Sequence, residues 1–274
     1  MIIKKLIFSL QIKLLALLIL ITTSGCSHYK KSQQSTEEKF NNVNLEIIAN
    51  YSKAILKDPN NELFYLERGK AKYEYGDFIG AIKDFDNSFK INSNMKVLFY
   101  RANAKFDIGD HKGAIKDYEK TMSLEKFKDQ IFYNIASSQL ILGKYKSAIN
   151  NYSKSIKIDP SDYTSYLFKG NANWRINNYY ESIEDFNKAI EINSNSYITF
   201  NNRGVSKFAV GEYKSALNDF KKSLKLNNSN YNTFYNKSLT HFELKEFKKA
   251  CIDLKKSIKL GKEVFKNEFS KICI

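Results

Sequence analysis

Five aspartates, Asp84, Asp117, Asp185, Asp219 and Asp253, stand at multiples of one interval, with Asn151 where a sixth would fall. Carboxylates commonly serve as general acids, general bases or ligands to divalent cations. A reacting carboxylate occupies a setting unlike that of its copies, whereas these return with a structural period. Four of them have Lys three residues on (Lys120, Lys188, Lys222 and Lys256), the spacing of a helix-surface ion pair. Of the three histidines, His28 precedes the periodic region and His111 takes a place filled elsewhere by Phe or Tyr. His241 stands alone. No two lie four apart on one helical face, as a shared metal would require. The chain has no phosphate-binding glycine loop and no Cys-x-x-Cys, and no nucleophile can be matched with a base. An enzyme is therefore not expected, nor a metal or cofactor.

The cysteines carry different chemistry. Cys251 occupies a periodic position that is Ile82, Ile115, Ile149, Ile183 or Leu217 elsewhere, which suits a small buried apolar residue. Cys251 and Cys273 also flank Gly261-Lys262 almost symmetrically, so a hairpin turning there would set them opposite each other as a possible disulfide. Both readings stand at this level.

Cys26 closes an N-terminal segment of another kind. Lys4, Lys5 and Lys13 form a positive lead, Leu14–Ile21 is unbroken apolar sequence, and Ser24-Gly25-Cys26 follows. The apolar run is shorter than the roughly 20 residues a membrane helix needs. A signal peptide over 1–25 is the expected reading. Ser24-Gly25-Cys26 resembles the lipobox of bacterial lipoproteins, in which the Cys becomes lipidated, although Thr23 replaces the usual Leu. The resemblance implies export and anchoring at a bacterial membrane, with the periplasmic face of the outer membrane favoured. Residues 26–42 are polar and without apolar periodicity, so a flexible tether is expected there.

The elements that position everything else come from a period. A run close to R-G-x-A-x-x-x-x-G-D-[FY]-x-x-A-I-x-D-[FY] recurs, with its central turn at Gly76, Gly109, Gly143, Asn177, Gly211 and Lys245. The steps are 33 residues once and 34 four times. Counting from the starts at Glu62, Met95, Asp129, Tyr163, Tyr197 and Tyr231, the eighth and twentieth positions are always small and the twenty-fourth is large. Small residues at a crossing let helix axes approach closely, and a large one fills the space beside them. Gly or Asn at the turn can take the left-handed conformation that ends a helix.

Each unit resembles the tetratricopeptide repeat, a 34-residue pair of antiparallel helices. The resemblance implies an all-α, right-handed superhelical solenoid of antiparallel helical hairpins: a half-repeat over 43–61, six repeats over 62–260 and a capping helix over 261–274. In that family the first helix of each hairpin lines a concave groove that holds a peptide or helix of a protein partner. Carried over, the resemblance implies a groove of Leu66, Tyr73, Phe99, Asn103, Phe106, Tyr133, Asn134, Leu167, Asn171, Trp174, Asn202, Phe208, Tyr235 and Phe242. The twelfth-position members, such as Trp174 and Phe208, equally suit packing between helices. A non-catalytic scaffold or assembly factor follows, the alternative being a regulatory subunit of a cell-envelope enzyme complex.

The chain carries 44 Lys and Arg against 29 Asp and Glu, a formal charge of +15, yet only four of the basic residues are Arg. Specific nucleic-acid reading favours Arg forks, so no nucleic-acid partner is expected. Lys221, Lys222, Lys225, Lys255, Lys256 and Lys259 read as a solvated face, or alternatively as one drawn to anionic lipid.

Overall fold

The computed structural model describes residues 32–263 together with Cys273. These form thirteen α-helices and a short 3-10 turn, and no strand occurs among the described residues. Helix α1 (Ser32–Lys57) is followed by six hairpins. They are α2/α3 (Glu62–Tyr75, Phe78–Ile91), α4/α5 (Met95–Asp107, His111–Lys120), α6/α7 (Lys128–Ile141, Tyr145–Ile158), α8/α9 (Tyr163–Arg175, Tyr179–Ile192), α10/α11 (Tyr197–Ala209, Tyr213–Leu226) and α12/α13 (Tyr231–Glu243, Phe247–Lys259). The chain divides into two compact units after the third hairpin, at Asp159–Pro160.

Inside a hairpin the second helix runs back along the first, and the pairing order shows it. Phe242, at the twelfth position, meets Phe247 at the seventeenth, while Lys237 at the seventh meets Asp253 at the twenty-third. Tyr231 at the first position accepts from Ser257 at the twenty-seventh. The twenty-fourth-position side chains Phe85, Tyr118, Tyr152, Phe186, Phe220 and Leu254 are all buried, as are the small residues at the twentieth. They fill the space that the small eighth position leaves between the helices. A hydroxyl at the twenty-seventh position adds a staple: Ser155, Ser223 and Ser257 each donate to the first carbonyl of their hairpin, at 2.8–3.0 Å.

Helix ends follow local chemistry. Asn61, Asn94, Asp162, Ser196 and Asn230 precede first helices, and their side chains accept from backbone N–H groups of the first turn. The turns at Gly76, Gly109, Gly143 and Gly211 take φ of 73–92°, and Asn177 takes 65°. Lys245 takes the same left-handed conformation at φ 60°, which costs an L-residue with a Cβ roughly 1–2 kcal/mol. Lys245→Gly should therefore stabilise the last hairpin by about 1 kcal/mol. A higher thermal midpoint of the helical circular dichroism signal would show it, and an unchanged or lower midpoint would contradict it.

Residues 26–42, expected as a flexible tether, are helical from Ser32 onward as the start of α1. Gln, Glu and Lys between Ser32 and Lys39 are good helix formers, so a polar sequence without an apolar stripe still continues the helix. From Val43 on, α1 packs on α2 as a second half-repeat would: Arg68 Nη1 donates to Ser52 Oγ at 3.1 Å, and the Tyr51 and Phe64 rings lie 6.1 Å apart. The segment 1–25 and Cys26 lie outside the described residues, as does most of the expected capping helix over 261–274. Among the described residues no helix is long and apolar enough to cross a membrane.

Candidate peptide-binding face and buried charge clusters

The twelfth-position rings resolve first. Each lies against the seventeenth-position ring of its own hairpin, across the turn. Tyr73 meets Phe78 at 5.4 Å, Phe106 meets His111 at 5.0 Å, Trp174 meets Tyr179 at 6.3 Å and Phe208 meets Tyr213 at 5.3 Å. Trp174 and Phe208 are buried in the core of the C-terminal unit with Val205, Phe220, Tyr235 and Leu254. Leu66, Phe99, Leu167 and Tyr235 are likewise buried, and so are Asn171 and Asn202. These eight cannot line an open groove, because their surface is spent on neighbouring helices. Tyr73, Asn103, Phe106, Tyr133, Asn134 and Phe242 remain half-buried. The expected groove set therefore splits into a core and a smaller accessible face.

On that face and in the buried layer beneath it, side-chain amides pair from one hairpin to the next. In the N-terminal unit Asn134 Nδ2 donates to Asn103 Oδ1 at 3.3 Å and to the Tyr118 hydroxyl at 3.1 Å. Burial pushes the Tyr118 phenol well above its ordinary pKa, so it stays protonated and donates to Asn103 Oδ1. In the C-terminal unit the pairing extends further. Asn202 Nδ2 donates to Asn171 Oδ1 at 3.0 Å, Asn201 Nδ2 to Asn202 Oδ1 at 3.1 Å, and Asn236 Nδ2 to Asn201 Oδ1 at 3.1 Å. Asn134 spends both of its N–H groups on these bonds, whereas half-buried Asn201 uses one for Asn202 and keeps a second that a partner's carbonyl could receive.

The periodic aspartates turn out differently from the surface pairs expected. Asp84, Asp117, Asp185, Asp219 and Asp253 are all buried, and their partners come from the seventh and eleventh positions of the first helix. Arg68 grips Asp84 through Nε and Nη2 at 2.8 and 2.6 Å, and Lys72 adds 2.8 Å. Arg101 and Lys105 hold Asp117 the same way, and Arg203 and Lys207 hold Asp219. In the fourth hairpin Lys169 and Asn173 take Asp185 at 2.7 and 2.8 Å. The third carries no charge at all: Asn151 donates to Gln139 at 2.9 Å, with Ile135 at the seventh position. Lys188, expected on Asp185, instead bonds Glu191.

These surroundings push two carboxyls in opposite directions. Burial raises Asp117, but its hydrogen bonds from Arg101 and Lys105 outweigh this and hold it below the usual carboxylate range. Burial raises Asp185 too, and Lys169 with Asn173 does not offset it, so that carboxyl ends above its ordinary value. The signs follow from linkage. Asp117 contributes stability that is present above the unfolded carboxyl pKa of roughly 4 and is lost as pH falls through the lower folded value. Asp185 favours the fold most when protonated, and that contribution fades as pH rises from roughly 4 through its raised folded value. Urea midpoints of wild type relative to Asp117→Asn should fall toward low pH, and those relative to Asp185→Asn should rise. Parallel curves would refute the assignment.

Among the described residues, no group of three or more His, Cys, Asp or Glu could hold a metal ion. Cys251 and Cys273 are bonded, with Cα atoms 4.8 Å apart, and Cys273 packs against the same core as Tyr235 and Leu254.

Comparison with known proteins bears on the same hairpins. Family models for the tetratricopeptide repeat match residues 139–177, 163–196 and 231–261. Curated proteins give no match. Among solved structures, the C-terminal part of a TPR repeat-containing protein from Cytophaga hutchinsonii aligns with a TM-score of 0.71 at 19% identity, covering 88% of this chain and 99% of that one. A tetratricopeptide repeat protein from Parabacteroides merdae aligns at 0.58 and 18% identity, over 86% and 96% of the two chains. YrrB, described as a TPR protein with an unusual peptide-binding site, aligns at 0.60 and 16% identity, over 68% and 97%. The same small, small and large positions recur in all six hairpins, and the repeat models fall on three of them directly: the chain is a tetratricopeptide-repeat protein.

Proposed function

We propose that the protein is a non-catalytic scaffold that holds a segment of a protein partner against its first-helix face, lipid-anchored at a bacterial membrane through Cys26. The observation that carries the binding reading is a set of half-buried first-helix amides: the Asn103–Asn134 pair in one unit, and in the other Asn201, held by the buried Asn202 and Asn236. Backbone-directed amides suit an extended partner segment, since they meet its carbonyls whatever its side chains. Tyr133 and Asn201, half-buried beside them, would supply contact area. The peptide-binding site described for YrrB, on the same fold, is consistent with this use of the face. The anchor rests on the sequence around Ser24-Gly25-Cys26.

Photo-crosslinking residues placed at Tyr133 and at Asn201, with a control at exposed Lys222, test the first half in membranes of the source cells. Discrete adducts are expected at the two first-helix positions and not at the control. Adducts confined to the control would move the binding surface to the second helices. For the anchor, wild type should sediment with membranes and carry a mass increment of acyl chains on Cys26. Cys26→Ser should leave both signals absent, and membrane retention by that variant would dismiss lipidation.

A further inference from the structure

The sixth hairpin breaks the charge pattern of its siblings and opens a pocket where the break falls. The seventh position is Lys237, whose Nζ meets Asp253 Oδ1 at 2.9 Å. At the eleventh position, where the first, second and fifth hairpins place a lysine on the second carboxylate oxygen, stands His241. Its ring is drawn the other way: Nδ1 bonds Glu246 at the start of α13, and Nε2 stops 3.5 Å from Asp253 Oδ2. Oδ2 is buried and has no hydrogen-bond partner, in a residue 6% exposed. A pocket of about 280 Å³ lies there, lined by Lys221, Lys237, His241, Lys249, Ile252 and Asp253.

The hydrogen-bond inventory fixes what this pocket lacks. Glu246 is held below the usual carboxylate range by its bonds from Lys249 and then His241, so it accepts and Nδ1–H must donate. In the neutral Nδ1–H form of the ring, the Nε2 lone pair faces Asp253 Oδ2. Two acceptors flank one space, and a buried acceptor without a donor is costly. An anion would deepen the conflict, whereas an ammonium would donate to both atoms at once.

We propose that the sixth-hairpin pocket is a binding site for a primary ammonium group, which bridges Asp253 Oδ2 and His241 Nε2. Two cations on one carboxylate is the arrangement already present at Asp84, Asp117 and Asp219. Exposed Ile252 provides an apolar wall for the methylenes of a lysine or polyamine stem. The charges facing the site are Lys221 from α11, Lys237 from α12, Glu246 just before α13, and Lys249 and Asp253 within it. Lys237 and Lys249 are each already paired to a carboxylate.

The test uses the folded chain and n-butylammonium, followed by the imidazole nitrogens of His241 and the Ile252 methyl groups in NMR. A saturable shift is expected. Tetramethylammonium, which has no N–H, should produce none. His241→Lys installs internally the lysine of the first, second and fifth hairpins and should weaken the Ile252 response by at least about tenfold, as should Asp253→Asn. An equal response to tetramethylammonium, or undiminished binding in both variants, overturns the site. Comparing a blocked Ala-Lys-Ala tripeptide with spermidine then separates a protein lysine from a free polyamine. None of these readouts depends on the amide face or on Cys26, so the site and the scaffold reading can fail separately.

Discussion

Asp219→Ala is expected to destabilise the C-terminal unit by about 3–5 kcal/mol, the usual cost of leaving a buried charge without its partner. The side chain is almost wholly buried and receives both forks of Arg203, at 2.9 and 2.6 Å, and Lys207 at 2.8 Å. Removing the carboxylate leaves a guanidinium and an ammonium side by side in a cleft where neither is well hydrated. Arg203 keeps only its bond to Asn187 Oδ1 at 2.7 Å. Urea unfolding followed by circular dichroism should show a large drop in midpoint for the helices of this unit. A control separates burial of charge from loss of packing. Arg203→Ile, Lys207→Gln and Asp219→Asn together recreate the uncharged third hairpin, with its Ile135, Gln139 and Asn151. That triple variant should recover most of the loss, because a buried ion pair can give way to well-fitting neutral groups at little net cost. If Asp219→Ala proves nearly silent, the cluster is far better solvated than its geometry implies.

The architecture was legible in the sequence because its signals are local and repeated. Residues of one size class at the eighth, twentieth and twenty-fourth positions, in six copies, leave few ways to pack. The charge clusters were less legible. The seventh position runs Arg, Arg, Ile, Lys, Arg, Lys and the eleventh Lys, Lys, Gln, Asn, Lys, His, so neither reads as a motif. A lysine three residues after four of the five aspartates also offered a simpler partner on the same helix. What decides is that the twenty-third position points into the hairpin, sixteen and twelve residues from its partners in the chain, and geometry of that range is invisible until the turn is built. The groove shows a related limit. Trp174 and Phe208 had two acceptable homes by periodicity alone, and the seventeenth-position rings across the turn settled which. Periodicity says that a residue faces something, not whether the something is a neighbour or a partner.

Gly204→Ala is expected to lower stability by roughly 1–2 kcal/mol, although helix propensity alone would favour alanine by about 1 kcal/mol. A Cβ built there would stand 2.6 Å from Cε1 and 2.9 Å from Cδ1 of Phe220, closer than two carbons can approach. Gly170 against Phe186 and Gly69 against Phe85 are equally tight, at 2.8 and 2.7 Å. Where the eighth position is instead alanine, at Ala102 and Ala136, the facing ring is Tyr118 or Tyr152, and its hydroxyl bonds the ninth-position side chain, Asn103 or Ser137. Anchoring that far end leaves room for one methyl group. The sixth hairpin differs again, with the smaller Leu254 at the twenty-fourth position and Ser238 at the eighth, both buried. The two positions therefore form one packing unit, and the unit is testable as a coupling. Phe220→Leu alone should destabilise by opening a void, and Gly204→Ala alone by crowding. Combined, they should cost less than their sum by about 1 kcal/mol or more, because the added methyl fills space that the lost ring vacates. Strict additivity in denaturant midpoints would mean that the ring can swing aside freely, and that the small eighth position answers to something other than the ring opposite it.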